Sequence, residues 1–425
     1  MVDAMELLRR HSKRSAEGIA FSAREADSAF TFVITDADEA GLRRYDGLCS
    51  DGTFSPSQAP LWIRSWISNA KSDRLLAFVE TERRPVFGLC LAVVKEGPFR
   101  VAGVMAGSHA NGNFFPATDD FIGKVSPGVF ASLFAAIHRT RPDIDMLAFE
   151  RQAKTISSRP NPFLCLNYAE SPNITLAADL DGGFDALLSR ASGKRKRKKH
   201  RSQIRKFEAA GGYHRFRAGT AGEVDTLLSA FFEMKARRFA AMGTNNVFAS
   251  AEIRSFFTAL FKEALREESP PFFLQGLVIG GKLRAVTGMS VTGDRLICEF
   301  GGISEDELTA ASPGDFIFFE NIREACADGF RVFDFSVGDE YYKRLWCDLE
   351  IRQFDVLVPL TLKGRAASAA WAATGRAKRL VKNNRLAAQW ARRVRGALAA
   401  KPASWSNSSK SAVRFCVRNC VKIKK

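Results

Sequence analysis

The sequence predicts a mixed α/β fold (an α+β arrangement on a mixed sheet) in which one architectural unit occurs twice, followed by a basic helical tail. Three observations lead to this prediction. Each half of the chain shows the element order β-α-α-β-β-β-α-β. In both halves the last helix opens with Ser-Pro-Gly-x-Phe, at 126–130 and at 312–316. After residue 362 the chain has 17 Lys and Arg and no acidic residue. The shared pentapeptide, at the same place in two matching element orders, indicates an internal duplication.

A chain of 425 residues exceeds the usual size of one compact core, and 46% hydrophobic residues suit packed globular domains. We predict an amino-terminal extension, two duplicated domains and a tail, bounded at 1–27, 28–178, 179–362 and 363–425. The tail accounts for the whole excess of 63 basic over 46 acidic residues. The net charge therefore describes an appendage rather than the active site. The sequence does not indicate an oligomeric state.

Several classes of protein are not expected. No stretch approaches about 18 uncharged apolar residues, the length of a membrane-spanning helix. The basic amino terminus is not followed by an apolar block, so a secretory signal is not expected. The eight cysteines are scattered, without paired CxxC motifs or nearby histidines, which predicts reduced thiols and no metal site. We expect a cytoplasmic protein.

The elements of the two halves follow from period, turn chemistry and helix breakers. In the first half we predict strands at 30–34, 75–80, 86–94, 99–104 and 144–149 and helices at 39–48, 59–69 and 126–138. In the second half we predict strands at 213–217, 272–279, 283–291, 295–300 and from 332, and helices at 223–241, 251–266 and from 312. Val224, Leu227 and Phe231 illustrate the helical spacing. Three prolines make 157–173 an irregular connection.

The stretch 299–343 contains the best-marked helix start. Ser312 suits the N-cap, Pro313 the first helical position, and Asp315 the positive end of the helix dipole, while Gly329 ends the helix. A strand that leads into a helix with free amide groups is suited to an anion such as a pyrophosphate.

A basic helix is predicted at 193–210, with ten basic residues, counting His200, between 193 and 207. Three interpretations remain open: a solvated helix face with Ile204 and Phe207 directed inward, a nucleic-acid patch, or a phosphate-facing lip over a cofactor.

The tail is predicted to be helical over 366–398, and Leu386, Trp390 and Val394 fall on one face with arginines opposite. This pattern suits peripheral contact with an anionic membrane, such as the inner face of the bacterial inner membrane, or packing against the protein's own body.

The chain resembles known acyltransferases. A three-strand meander, a loop, a glycine-opened helix and a further strand resemble the GNAT acyltransferase domain. The motifs KRKRKKHRSQIRKFEAAGG, SPG and DFSVGDEYYKRLW resemble the bacterial CelD/BcsL group of cellulose and exopolysaccharide biosynthesis, which is similar to the Fem peptidoglycan aminoacyltransferases. The similarity is best over 182–360.

This resemblance implies transfer of an acyl group, most simply acetyl from acetyl-CoA, to an amine or hydroxyl of a small molecule, sugar or polysaccharide precursor. It implies that the backbone of one strand binds the pantetheine arm: Phe300, Gly301, Gly302 and Ile303. It further implies a phosphate cradle at the start of the next helix: Ser312, Gly314, Asp315 and Phe316. Only Gly314 matches the glycines that usually surround this turn.

Acyl transfer from a thioester needs a base for the attacking group and an acid for the leaving thiolate. Glu299 is the first candidate base and Asp334 the second. Tyr342 is the candidate acid, and Lys343 is a candidate partner for a phosphate or an acidic acceptor. Structural ion pairs and half-buried packing are the simpler interpretations of the same residues. His109 and Asn111 are candidates for lining the acceptor pocket.

Two functions from other classes remain open. The basic helix and tail suit an aminoacyl-tRNA-dependent transferase of the Fem kind, or an RNA-binding protein. A duplicated fold without catalysis would suit a docking subunit of a polysaccharide synthesis system.

Overall fold

The computed structural model describes residues 29–190 and 192–383, with side chains described as far as Arg376. The strands are β1 (Thr31–Thr35), β2 (Asp73–Thr81), β3 (Arg84–Glu96), β4 (Phe99–Val104), β5 (Met146–Gln152), β6 (Thr155–Ile156), β7 (Arg159–Pro160), β8 (Ala169–Asp179), β9 (Tyr213–Arg217), β10 (Phe272–Ile279), β11 (Lys282–Thr292), β12 (Arg295–Ile303), β13 (Val332–Val337) and β14 (Leu349–Pro359). The helices are α1 (Glu39–Asp51), α2 (Pro60–Asn69), α3 (Asp119–Lys124), α4 (Pro127–Thr140), α5 (Gly183–Arg190), α6 (Gly193–Ala209), α7 (Ala221–Ala241), α8 (Ala251–Ala264), α9 (Pro313–Ala327), α10 (Tyr341–Arg344) and α11 (Leu362–Asn383).

Twelve strands form one mixed sheet in the order β1-β2-β3-β4-β5-β14-β8-β13-β12-β11-β10-β9. We call β1 to β5 with α1 to α4 the first unit, and β9 to β13 with α7 to α9 the second unit. The order is symmetric about its centre, since β1 to β5 on one side match β9 to β13 on the other. The predicted mixed α/β fold with a duplicated unit is therefore confirmed.

The two central strands, β14 and β8, were not predicted. β8 begins inside the connection 157–173 that we expected to be irregular, and the second strand of the β6–β7 hairpin also lies in that connection. Pro172 is the reason that β8 was not predicted, because a proline in the sequence argues against a strand in the middle of a sheet. The pairing of β8 with β14 skips the residues around this proline, resuming at Ile174.

Each of these two strands pairs with a strand from the other half of the chain or links the two units. β14, from the end of the second half, pairs with β5 of the first unit, and β8, which precedes the second unit, pairs with β13. β8 and β14 pair with each other and join the two units into one sheet. The predicted boundary at 178–179 divides the chain at the end of β8, and the division into two domains remains a prediction.

The core is continuous across the two units. α2 of the first unit packs on α8 of the second, and Trp62 contacts the rings of Phe256, Phe257 and Phe272, with centroid distances of 4.9, 6.3 and 6.0 Å. All four side chains are almost completely buried. Rings of this size supply most of the apolar area that an interface buries, so the two units stabilise each other.

In each unit the fourth and fifth strands run parallel for three residue pairs and then diverge. β4 pairs with β5 from Val101 to Gly103, and β12 pairs with β13 from Arg295 to Ile297. The first unit fills the resulting gap with its own loop, because Asn113 exchanges backbone hydrogen bonds with Arg151 and Ala153. In the second unit, within the described residues, Cys298–Ile303 pairs along one side only, with β11.

The described part of the tail packs on the body. In α11, Ala367 is buried and the Trp371 Nε1 group donates to Glu150 Oε1 over 3.0 Å. The predicted amphipathic helix 366–398 lies only partly within the described residues, and its apolar positions from Leu386 onward lie outside them. Among the helices of 29–190 and 192–383, none combines the length and the hydropathy that a membrane span requires.

Candidate active site

A β-bulge in β12 determines where Glu299 lies. Phe300 pairs with Gly288 and Cys298 with Met289, so Glu299 is the extra residue between two consecutive pairs. A bulge bends its strand and redirects the side chain of the extra residue. Here it occurs at the point where β12 has just separated from β13, beside the backbone edge that lacks a second partner strand.

The Glu299 carboxyl group is held in a sparsely hydrated position. Ser290 Oγ donates a hydrogen bond to Oε1 over 2.7 Å, whereas the buried Oε2 has no hydrogen-bond partner among the described residues. Burial raises the pKa of Glu299 to about 7, against a partial opposing effect of Ser290 and the nearby amide of Asn111. A carboxylate with a pKa near neutral accepts and releases a proton under physiological conditions.

A loop of the first unit closes one side of this position. The side-chain amide of Asn111, in this loop, lies close enough to lower the pKa of Glu299. Two residues earlier, a His109 ring nitrogen lies 3.1 Å from the Val247 carbonyl oxygen. The His109 ring also contacts the Phe248 ring, with centroids 4.8 Å apart. The structure therefore brings Asn111 to the first candidate base, and both units contribute to the site.

Asp334 and Lys343 hold the end of β13. Asp334 Oδ2 pairs with Arg295 over 2.8 Å, and its Oδ1 accepts from the Ser336 amide over 2.7 Å. Lys343 Nζ donates to the carbonyls of Ser336 and Val337 over 3.3 and 3.1 Å. Ser336 has a φ of 58°, which is a costly conformation for a residue other than glycine. Both side chains thus stabilise a kink where β13 turns away from β12.

Tyr342 lies one residue before this lysine, and its ring is near that of Phe335 in β13, with centroids 6.3 Å apart. Its ring stacks on Phe318 with centroids 5.5 Å apart, and the side chain is 40% exposed. Burial of the phenol raises the pKa of Tyr342 above its ordinary value, so the hydroxyl keeps its proton at neutral pH. The raised pKa makes Tyr342 a hydrogen-bond donor toward a leaving group and a weaker acid than an ordinary tyrosine.

The start of α9 differs from the predicted cradle. Ser312 occupies the predicted N-cap position, but its φ is 59° and its side chain caps no amide, so the expected capping hydrogen bond is absent. The amides of Asp315 and Phe316 already donate to the Ser312 carbonyl over 3.1 and 3.2 Å. Gly314 packs so tightly that an added Cβ would lie 2.2 Å from Ile303 Cδ1. Of the amides proposed for phosphate binding, that of Gly314 alone has no such bond to Ser312.

The basic helix α6 covers this helix start. His200, Gln203 and Phe207 are buried, and Gln203 Nε2 donates to the carbonyls of Ala311 and Ser312 over 2.9 and 3.0 Å. Lys199 pairs with Asp315 over 3.1 Å, and His200 with Glu320 over 2.6 Å. Six basic side chains on its outer face are exposed and form no ion pair within the described chain: Lys194, Arg195, Lys198, Arg201, Arg205 and Lys206. The inward direction predicted for Phe207 is confirmed.

In the predicted pantetheine strand, Phe300 and Gly302 are buried, and Gly301 and Ile303 are partly exposed. Phe300 is buried against Phe231, with ring centroids 4.3 Å apart. A Cβ on Gly302 would lie 3.0 Å from Phe231 and 3.2 Å from the sulfur of Met234. The glycine allows α7 to pack closely behind the strand while the backbone edge of 298–303 faces the gap.

Comparison with known proteins identifies this part of the chain. Residues 194–344 match the family model described as an acetyltransferase (GNAT) domain. The match covers the second unit together with α6 and α10.

The fold is similar to the crystal structure of FemX, with a TM-score of 0.52 and 11% sequence identity over 76% of this chain and 96% of that chain. Weaker likenesses are found to the carboxyl-terminal domain of a putative lysylphosphatidylglycerol synthetase from Agrobacterium fabrum (TM-score 0.46, 10% identity, 79% and 96% covered) and to a tandem GNAT protein from the clavulanic acid biosynthesis pathway (0.44, 12%, 78% and 99%). No curated protein sequence matches. The fold is thus GNAT-like, and the GNAT domain supports an acyltransferase.

Sequence reasoning missed Lys235 of the GNAT domain. It lies on α7, and its Nζ atom is 5.6 Å from the centroid of Phe231 and 5.9 Å from that of Phe248. Burial lowers the pKa of Lys235 to about 8. The available signal was its spacing, because Phe231 and Lys235 are four residues apart and share one helix face. The prediction treated that face as apolar core only.

Proposed function

We propose that the chain is an acyltransferase that moves an acyl group, most simply acetyl, from acyl-CoA to an amine or hydroxyl. The observation that supports this most directly is Glu299, a half-buried carboxyl group with a pKa near 7 at a bulge beside an unpaired strand edge. The pantetheine arm would lie along the backbone of 298–303 in the gap between β12 and β13. The first unit fills its own gap, so the proposal assigns one donor site to each chain.

In this proposal Glu299 removes a proton from the acceptor as its nitrogen or oxygen attacks the thioester carbonyl carbon. The new C–N or C–O bond forms first, and the C–S bond then breaks as the tetrahedral intermediate collapses. Tyr342 donates a hydrogen bond to the departing thiolate, and the proton taken up by Glu299 passes to solvent, from which the thiolate is protonated. Asp334 and Lys343 act as positioning residues, because they fix the kinked end of β13 that forms the far wall of the gap.

The experiment is acetyl-CoA-dependent release of free CoA by the purified full-length protein with amine, hydroxyl and sugar acceptors. We expect the Glu299→Gln variant to lose about 10²- to 10⁴-fold in kcat, the usual contribution of a general base, with acetyl-CoA affinity unchanged. Glu305→Gln, an exposed carboxylate beyond the same strand, is the matched control and should keep full activity. The rate of the unaltered protein should rise with pH through about 7 as Glu299 loses its proton. Equal activity of the two variants would remove Glu299 from the mechanism.

The class of acceptor is also part of this proposal. The resemblance to the CelD/BcsL group favours a saccharide or polysaccharide precursor as the acceptor. Failure of every acceptor to release CoA above background would instead favour the docking subunit of a polysaccharide synthesis system.

A second candidate function is aminoacyl transfer from aminoacyl-tRNA, as the Fem resemblance implies. The exposed cations of α6 favour it, because unpaired lysines and arginines along one helix suit a phosphate backbone. Its test is tRNA binding at several salt concentrations, compared between the protein and a variant with Lys198, Arg201 and Arg205 changed to Gln. Binding that is indifferent to salt or to these changes would reject it.

A further inference from the structure

The candidate site contains two charged groups that nothing in the described chain neutralises. Four charged side chains lie close enough to influence the pKa of the buried Cys298 thiol: Lys343, Glu299, Lys235 and Asp334. Asp334 pairs with Arg295, and Lys343 pairs with Glu340 over 3.0 Å. Glu299 and Lys235 have no ion-pair partner within the described residues. The two unpaired groups therefore remain available to a ligand.

Lys235 is a partly buried ammonium group whose neighbours among the described residues are aromatic rings and a second cation rather than a counter-ion. Its Nζ atom faces the rings of Phe231 and Phe248, and Arg238, one turn further along α7, adds a second positive charge. Among the described residues, the ion-pair partner of Arg238 is Glu305, with a nitrogen–oxygen distance of 4.0 Å. Removing a cation from water without a counter-ion costs free energy, so such a group is typical of a binding site.

Glu299, by contrast, lacks a hydrogen-bond donor at one of its oxygens. Its buried Oε2 atom accepts no hydrogen bond of normal geometry in the described chain, although the Asn111 side chain lies close enough to lower the pKa of the carboxyl group, and a poorly satisfied buried acceptor is unfavourable. Phe231 lies near both groups, since its ring centroid is 5.6 Å from the Lys235 Nζ atom and 4.3 Å from the ring centroid of Phe300, the residue after Glu299. One ligand can therefore satisfy both groups by supplying an N–H or O–H to Glu299 and an anion to Lys235.

We infer that the acceptor is an anionic amine or alcohol, whose carboxylate or phosphate binds Lys235 while its N–H or O–H binds Glu299. This inference rests on the proposed acyl transfer. It narrows the acceptor from any amine or hydroxyl to compounds that carry a negative charge near the nucleophile. The acceptor reacts at the nitrogen or oxygen beside Glu299, and its anionic group takes no part in bond making or breaking.

The experiment compares matched acceptors with acetyl-CoA: phosphoethanolamine with ethanolamine, glucosamine 6-phosphate with glucosamine, and glycine with glycinamide. The first two pairs test a phosphate and the third tests a carboxylate. We expect at least one anionic member to have a KM about tenfold or more below that of its neutral partner, which is the usual effect of one charge-assisted hydrogen bond. Equal KM values within all three pairs would overturn the inference.

Three variants locate the effect. Lys235→Met keeps the length of the side chain and its packing on Phe231, and it should raise the KM of the anionic acceptor about tenfold while kcat stays within about twofold. Lys235→Arg keeps the charge and should retain the preference. Arg237→Met, an exposed position on the same helix, should change neither constant. A loss of rate with all acceptors alike in Lys235→Met, together with failure of Lys235→Arg to restore it, would contradict anion binding.

A binding measurement separates this inference from the proposed function. Phosphoethanolamine and glycine are titrated without acetyl-CoA into the unaltered protein and into Lys235→Met, and ligand-observed NMR reports the bound fraction. Binding that Lys235→Met abolishes supports the anion site even if no acyl transfer is detected. Transfer to neutral acceptors, without anion binding, leaves acyl transfer standing and rejects the anion site.

Discussion

A buried functional carboxyl group destabilises the fold that holds it, which makes Glu299 testable without a substrate. The Glu299→Gln variant keeps the size of the side chain and the oxygen that accepts from Ser290 Oγ, and it removes the ionisable group. Burial raises the pKa of Glu299 from 4.5 to about 7 in the folded protein. The folded state therefore binds this proton more tightly than the unfolded state does.

The sign of the effect follows from proton linkage. Between pH 4.5 and 7 the folded protein holds the proton that the unfolded chain has released, so the stability of the unaltered protein falls as the pH rises through this window. Above pH 7 the loss is complete. A rise in pKa of this size corresponds to about 3 kcal/mol, and the partial exposure of Glu299 makes that an upper limit. We expect Glu299→Gln to gain about 2 kcal/mol over the unaltered protein between pH 5 and pH 8.

Urea unfolding of both proteins at pH 5, 6, 7 and 8 gives the free-energy difference at each pH. Glu307→Gln is the control, because Arg284 holds the pKa of Glu307 at about 2 and both states are ionised over most of this range. Its difference from the unaltered protein should stay nearly constant. A constant difference for Glu299→Gln as well would show that Glu299 ionises normally in the folded protein and would refute its assignment as the base.

Two further predictions concern the frame of the site. Asp334→Asn should lower the free energy of unfolding by about 2 to 3 kcal/mol, because it leaves Arg295 without its ion-pair partner and weakens the hydrogen bond from the Ser336 amide. Urea unfolding measures this difference. A change below about 0.5 kcal/mol would contradict the positioning role. Trp62→Ala should cost about 3 to 5 kcal/mol and loosen the contact between the units, because its ring packs on Phe256 across that contact. Thermal unfolding and limited proteolysis between the units are the readouts, and unchanged behaviour in both would show that the shared core is not needed.

The repeated element order was predictable because the signals for each strand, helix and turn lie within short stretches of sequence. Alternating strands, helical spacing and glycine turns lie within 20 residues of one another, and SPG opens the last helix of both units. The two central strands were not predictable in this way. β14 mixes buried Phe354 and Val356 with polar Gln353 and Asp355, and β8 contains Pro172. Their place in the sheet depends on strands from the other half of the chain.

In the candidate site, too, local features were predictable from the sequence and features that depend on distant residues were not. The sequence predicted Glu299 as a candidate base late in its strand. In the structure it lies in the middle of β12, and the bulge and the burial that shift its pKa depend on β11 and on the loop carrying Asn111. The motif DFSVGDEYYK was expected to supply catalytic groups. In the structure, Asp334 and Lys343 stabilise the backbone of β13, and their local sequence gives no sign of the kink at Ser336. Lys235 was missed because a lysine within an aromatic helix face has the same spacing as a solvated one.

The central claim is that a thioester-bearing donor lies against the free backbone edge of β12 in the second unit. Hydrogen exchange of the full-length protein, with and without acetyl-CoA, tests it most directly. We expect slower exchange of the amides in 298–303 and 336–338 when acetyl-CoA is added, and no change in 104–113, where the first unit fills its own gap. Unchanged exchange along 298–303, or protection confined to 104–113, would contradict the claim.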